Sequence, residues 1–310
     1  MVPHARTSPL AAGVALRAGR AAPAPRSRLA AGVEPLRYAV LSMLAILAAA
    51  VFFFPIFWSL STSLRSPLET FTVTGLGLPW VDFTPTLRNW TAELALPDAV
   101  RALRNSTLVS AGATLLALLL GTPAAYGLAR FRFRRVRNRS FTLWFFTQRL
   151  LPPVATIVPF YLVIRALGLL DTLTGLVLLD ATALLPFVVV VLRQTFLDLP
   201  VEIEEAALVD GAGHLRTFWR IALPLAAPAV AATGLIVFAG AWNDFLFALT
   251  LFSQHALTMP IRVAESMDTR GVLFWVLGTR GMIATLPPLL VALVAQRYIV
   301  RGLTLGSVTG

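Results

Sequence analysis

A chain of 310 residues that is 57% hydrophobic and only 13% charged, with a mean hydropathy of +0.77, stands far from the roughly 25% charged residues of a soluble domain. It reads as an integral membrane protein. A net charge of +11 would suggest nucleic acid in a soluble protein, but every basic residue is Arg and these crowd the ends of apolar runs, so topology accounts for them and no nucleic-acid partner is expected. The absence of Cys excludes disulfides and thiolate chemistry. His4, His214 and His255 lie in separate segments, so no metal site is expected. The apolar runs suit helices of about 20 residues rather than alternating strands of about 10, which makes the fold class all-α, with about six transmembrane helices.

In chain order, residues 1–37 are rich in Ala, Pro, Gly and Arg and are expected to be a disordered cytoplasmic tail. A first span over Tyr38–Leu60 runs on past Ala48-Ala49-Ala50, too long for the apolar stretch of a signal peptide, and is taken as uncleaved. Ser61–Arg104, with Pro67, Pro79, Pro85 and Pro97, reads as an extracytoplasmic loop. The second span, Asn105–Ala129, ends in the densest basic cluster, Arg130 to Arg139. A third is predicted over Phe141–Leu167, a fourth over Leu173–Thr195, a fifth over Ala226–Phe252 and a sixth over Trp275–Val300, so that residues 38–300 form the membrane domain and 301–310 a cytoplasmic tail. The positive-inside rule supports this orientation. Six Arg fall in the N-terminal tail, six in the Arg130–Arg139 cluster, and Arg193, Arg216, Arg220, Arg297 and Arg301 lie on the same side. Both termini are expected inside a cytoplasmic or inner membrane, in contact with lipid.

Between the fourth and fifth spans lies a charged interruption, residues 199–225, whose centre EIEEAALVDGAGHLRTFWRIALP reads as a short helix, a turn on Asp210-Gly211-Ala212-Gly213 and a second helix. Asp is expected to cap there and Gly to adopt positive φ. The order Glu205-Ala206-Ala207, three residues, Gly211, nine residues, then Ile221-Ala222-Leu223-Pro224 resembles the EAA loop of ATP-binding-cassette importer permeases. Asn105-Ser106, Ala125-Tyr-Gly-Leu-Ala-Arg130-Phe, Leu151-Pro152-Pro153, Gly168-Leu-Leu-Asp-Thr172, Trp242-Asn243 and the terminal Gly-Leu-Thr-x-Gly-x-Val-x-Gly310 are similar to the carbohydrate branch of that family, the second permease of maltose and trehalose importers. Thr309 departs from the Lys more usual there, which leaves the contact of the tail with the ATPases open.

The resemblance implies an all-α permease subunit whose Glu205, Ala206, Ala207, Asp210, Gly211, Ile221, Leu223 and Pro224 couple to an ATPase. It further implies a homologous second permease, two ATP-binding subunits that hold ATP and magnesium, and an extracytoplasmic solute-binding protein. This chain itself carries no cofactor and no ATPase loop, because the phosphate-binding motif needs a Lys and there is none. A membrane hydrolase lacks a Gly-x-Ser-x-Gly elbow or a His-Glu-x-x-His pair, and an ion-coupled secondary transporter would need a carboxylate relay and usually an internal repeat, neither of which is visible. Sugars, disaccharides, polyols and glycerol phosphate esters all remain candidate cargo.

Polar residues inside spans cost about 2.5–3.5 kcal/mol at the centre when charged and usually face a cavity or a partner. Gln148 and Arg149 in the third span, Asp180 in the fourth, and Trp242, Asn243 and Asp244 in the fifth are therefore candidates for the substrate path. For the last three, stacking and hydrogen bonding to a sugar and simple helix packing are both open. At about 1.5 Å per residue, straight helices would separate Arg149 and Asp244 by about 12 Å in depth, which argues against a direct bridge.

Overall fold

A computed structural model describes residues 28–73, 75–133, 137–251, 255–268 and 271–305. The chain divides into two units, Met1–Phe54 and Pro55–Gly310. Residues 1–27 of the expected N-terminal tail and 306–310 of the expected C-terminal tail lie outside the described residues. Helix α1 (Arg28–Ser63) begins well before the expected first span, and within the first unit its side chains from Arg37 to Phe54 are exposed.

In the second unit, α2 (Glu69–Thr72) and α3 (Arg88–Leu94) occupy the predicted loop. Helix α4 (Pro97–Arg130) then forms the spine. Proline at its first turn loses no hydrogen bond, since the donors there have no helical partner anyway. Its buried face is a ladder of small side chains, Ala102, Ser106, Ala113, Ala117, Gly121 and Ala125, at the spacing that lets membrane helices approach closely. The approach to α7 (Leu173–Asp198) is so close that a Cβ at Gly121 would meet Val188 Cγ1 at 2.6 Å. Around this pair lie α10 (Leu223–Trp242) and α13 (Phe274–Leu305).

The third span is not one helix. It consists of α5 (Asn138–Gln148) and α6 (Pro153–Ala166), bent by 99° at the break between them. Pro152 and Pro153 are the cause: both lack an N–H, and each disfavours helical backbone in the residue before it, so Pro152 is extended, with φ −60° and ψ 131°. The fifth span is also broken, with α10 ending at Trp242 and α11 (Leu246–Leu251) starting after Asn243-Asp244-Phe245. Asp244 starts α11 by accepting from Phe247 N at 3.4 Å and Ala248 N at 3.0 Å. Among the described residues, five helices are long and apolar enough to cross a membrane, and a sixth crossing results if the bent pair counts as one.

Beyond α11 the chain forms α12 (Met259–Ala264) and two short strands, β1 (Met267–Asp268) and β2 (Gly271–Val272), paired antiparallel. This end of the unit is held by three polar staples. Asn105 Nδ2 donates to Leu257 O at 3.0 Å and Ser106 Oγ accepts from Met259 N at 2.8 Å. Asp171, in left-handed backbone with φ 53°, accepts from His255 N and Ala256 N. Buried Glu93 accepts at one oxygen, 3.0 Å from each, from Arg262 Nε and Arg280 Nε.

Removing one member of a buried charged cluster strands the others, typically at about 3–5 kcal/mol. Glu93→Ala should therefore lower the unfolding free energy of the purified protein by an amount of that order. Asp98→Ala, which breaks an exposed pair with Arg101, should change it by about 1 kcal/mol or less. Thermal unfolding of both variants in one detergent measures the contrast.

Candidate functional site

The charged interruption folds as α8 (Val201–Val209), a turn, α9 (His214–Thr217) and a π-helical turn over Phe218–Ala222 that runs directly into α10. Its shape follows from two local causes. Gly211, at φ +84°, ends α8 in a left-handed cap: Ala212 N donates to Ala207 O at 2.9 Å and Gly211 N to Leu208 O at 3.1 Å, the paired bonds that satisfy the last carbonyls of a helix. Pro224 cannot accept the ordinary helical geometry toward Arg220, and the chain widens just before it, with Leu223 N reaching Phe218 O. Two expectations need correction. Gly213 is not left-handed, with φ −76° and ψ 157°, and α9 has no side-chain cap, so Asp210 ends α8 through its backbone rather than capping the next helix.

Adjacent glutamates on α8 face opposite ways. Glu204 is buried at 5% exposure. It accepts from Tyr126 Oη at 2.7 Å and from Arg130 Nε at 2.9 Å, while Arg130 Nη2 also donates to Leu199 O at 3.0 Å. Glu205 and Ala206 are exposed, as are Asp210, Gly211 and Pro224; Ala207, Ile221 and Leu223 are half-buried. Val209 (86% exposed), Leu215 and Trp219 leave large apolar side chains uncovered beside them. The loop thus has an inner face clamped to α4 and an outer face that no described residue covers. Sequence reasoning missed the clamp. A signal existed: Tyr126 and Arg130 stand four apart on one face of a helix, next to an acidic pair of which only one member can point inward.

The path candidates separate into two groups. Gln148 and Arg149, at the break between α5 and α6, share a cavity of about 480 Å³ with Asp180 and Asp244. Both the third and fifth spans break at these residues, so straight-helix depths do not describe them. Arg149 nevertheless makes no ion pair among the described residues; its guanidinium lies over the Phe187 ring at 5.3 Å. Trp242 and Asn243 stand apart from this cavity and border another, against α13. Trp242 is 3% exposed, donates from Nε1 to Ala284 O at 3.1 Å and stacks on Phe238. The Asn243 side chain donates to Ala239 O one turn back.

Long apolar helices, two breaks beside a cavity that holds a few charged side chains, and a charged loop between spans fit a multi-pass membrane transport subunit. The chain belongs to the family of binding-protein-dependent transport system inner membrane components, whose pattern matches residues 117–305. It is 40% identical over 225 residues to the putative ABC transporter permease protein ORF1 of Streptomyces antibioticus, which covers 72% of this chain and 97% of that protein. It is 33% identical to the trehalose/maltose transport system permease protein MalG of Thermococcus litoralis, over 89% of this chain and 99% of that one. Its fold matches a chain of a bacterial ABC transporter involved in the import of the acidic polysaccharide alginate, with a TM-score of 0.70 at 24% identity, covering 86% of this chain and 97% of that chain.

The turn and the clamp make separable predictions. No atom crowds a Cβ at Gly211 or Gly213, so only backbone sign distinguishes them. Left-handed backbone costs a side chain about 1–2 kcal/mol, more when it is branched, so Gly211→Val should speed tryptic cleavage at Arg216 and Gly213→Ala should not. Arg130→Ala should destabilise by about 3–5 kcal/mol because it strands Glu204. Adding Glu204→Ala should recover part of that loss, and unfolding of the single and double variants would show the coupling.

Proposed function

We propose that this chain is a transmembrane permease subunit of an ATP-driven importer for a sugar or polyol, forming half of the translocation pathway. It lies in the cell membrane with both termini cytoplasmic. Its expected partners are a homologous second permease, two ATP-binding subunits that hold ATP and magnesium, and an extracytoplasmic solute-binding protein. The observation that carries this reading is the two-faced α8: Glu204 locks the loop to the end of α4, so force applied to the outer face at Glu205, Ala206 and Val209 is transmitted to the spine rather than absorbed by a floppy connector. Family membership supports the class, and the trehalose/maltose system of the Thermococcus relative supports a sugar over a glycerol phosphate ester.

Reconstitution of the chain with its partners in proteoliposomes tests this reading, with uptake of radiolabelled trehalose and maltose followed under ATP or under an imposed proton gradient. Uptake should require ATP and ignore the gradient; gradient-driven uptake would replace the importer with an ion-coupled carrier. Glu205→Lys reverses the charge on the outer face and should abolish ATP-driven uptake while the permease pair still inserts and co-purifies. Wild-type stimulation of ATPase activity by loaded binding protein in that variant would remove Glu205 from the coupling surface.

A further inference from the structure

The cavity at the two helix breaks has a chemistry that the importer reading leaves unspecified. Its charged residues are Asp180, Asp244 and Arg149. Two of these are already engaged, Asp244 by the backbone N–H groups at the start of α11 and Arg149 by the Phe187 ring. Asp180 is not. It is 3% exposed, it lines the cavity, and its buried Oδ2 has no hydrogen-bond partner. A buried polar atom without a partner is costly, and a carboxylate more so than a neutral group. Ionised, Asp180 needs a donor; protonated, it donates as well, and a hydroxyl group answers either need.

We propose that this cavity is a subsite for one sugar unit that is neutral or carries an amine, with Asp180 accepting from its hydroxyl or ammonium donors, and that it disfavours acidic sugars. The inference rests on the importer reading and adds the class of cargo. A carboxylated or sulfonated unit would bring further acceptors to a wall that already has two acids against one guanidinium. Its own charge would have to be buried in a low-dielectric site where the one guanidinium already lies over the Phe187 ring. A hydroxyl-rich unit supplies the donor, and Gln148 adds an amide able to donate and accept. Trp144 in the wall and the edge-to-face pair Phe160 and Phe247 at 5.7 Å provide apolar faces against which a sugar ring can lie.

The decisive measurement uses the assembled importer in nanodiscs, without solute-binding protein, titrated with glucose, glucosamine and glucuronate and followed by saturation-transfer difference NMR. Glucose and glucosamine should bind and compete with each other. Glucuronate should bind at least about tenfold more weakly, and Asp180→Leu should weaken glucose by about tenfold, the scale of one hydrogen bond to a charged group. Asp180→Asn, which keeps the shape and one acceptor oxygen, should fall between. Neither variant should lower the melting temperature of the complex, since each removes an unpartnered buried carboxyl; a purely structural role for Asp180 predicts a lower melting temperature with unchanged glucose binding. Glucuronate binding as tightly as glucose, glucose binding unaffected by Asp180→Leu, or no binding by any of the three sugars would each overturn the subsite. Because binding is read without turnover, these outcomes are independent of whether ATP drives uptake, which is the measurement that decides the importer reading.

Discussion

The buried contact of Glu204 with Tyr126 and Arg130 is the interaction on which the arrangement of the charged loop depends. A carboxylate removed from water needs its charge compensated and its oxygens satisfied, and here one oxygen meets a guanidinium and the other a phenol. Because Arg130 also holds Leu199 O, the same cation fixes both the entry to α8 and its inner face. Tyr126 and Arg130 sit on the last turns of α4, the helix packed most intimately against α7. Helix α8 is thereby tied to the spine of the molecule.

At the other end, polar staples perform a comparable service. Asn105, Ser106 and Asp171 each satisfy backbone groups of the 255–259 segment, while Glu93 draws together α3, α12 and α13 through two arginines. Both ends are held by hydrogen-bonded groups, whereas the middle is held by small-residue packing of α4 on α7. Helix ends and loops must satisfy backbone groups that the interior of a helix satisfies by itself, so the polar residues collect there.

Between these ends, two spans break at the same place. Proline imposes the break in one and Asp244 caps the restart of the other, and irregular backbone at that depth is tolerated only where it is buried in protein or lines a cavity. The cavity containing Gln148, Arg149, Asp180 and Asp244 follows from that coincidence. Discontinuous helices also expose their terminal backbone groups, which makes such a break suited to polar cargo.

Much of this was legible in the sequence. Apolar run length set the all-α class and the order of crossings, because a helix in lipid must satisfy its backbone internally whatever surrounds it. The Gly211 turn was equally legible, since positive φ is a local property of one residue. Prolines 152 and 153 stand in the sequence, but the 99° bend and the sharing of one cavity by Asp180 and Asp244 are not legible there, because they depend on how separate helices pack. Trp242 and Asp244, two positions apart in sequence, part company for the same reason: the end of α10 between them turns one toward α13 and the other into the cavity. The choice between Glu204 and Glu205 is likewise tertiary. Both residues suit a helix equally, and only the position of Tyr126 and Arg130, more than seventy residues earlier in the chain, decides which carboxylate is buried and which is left exposed.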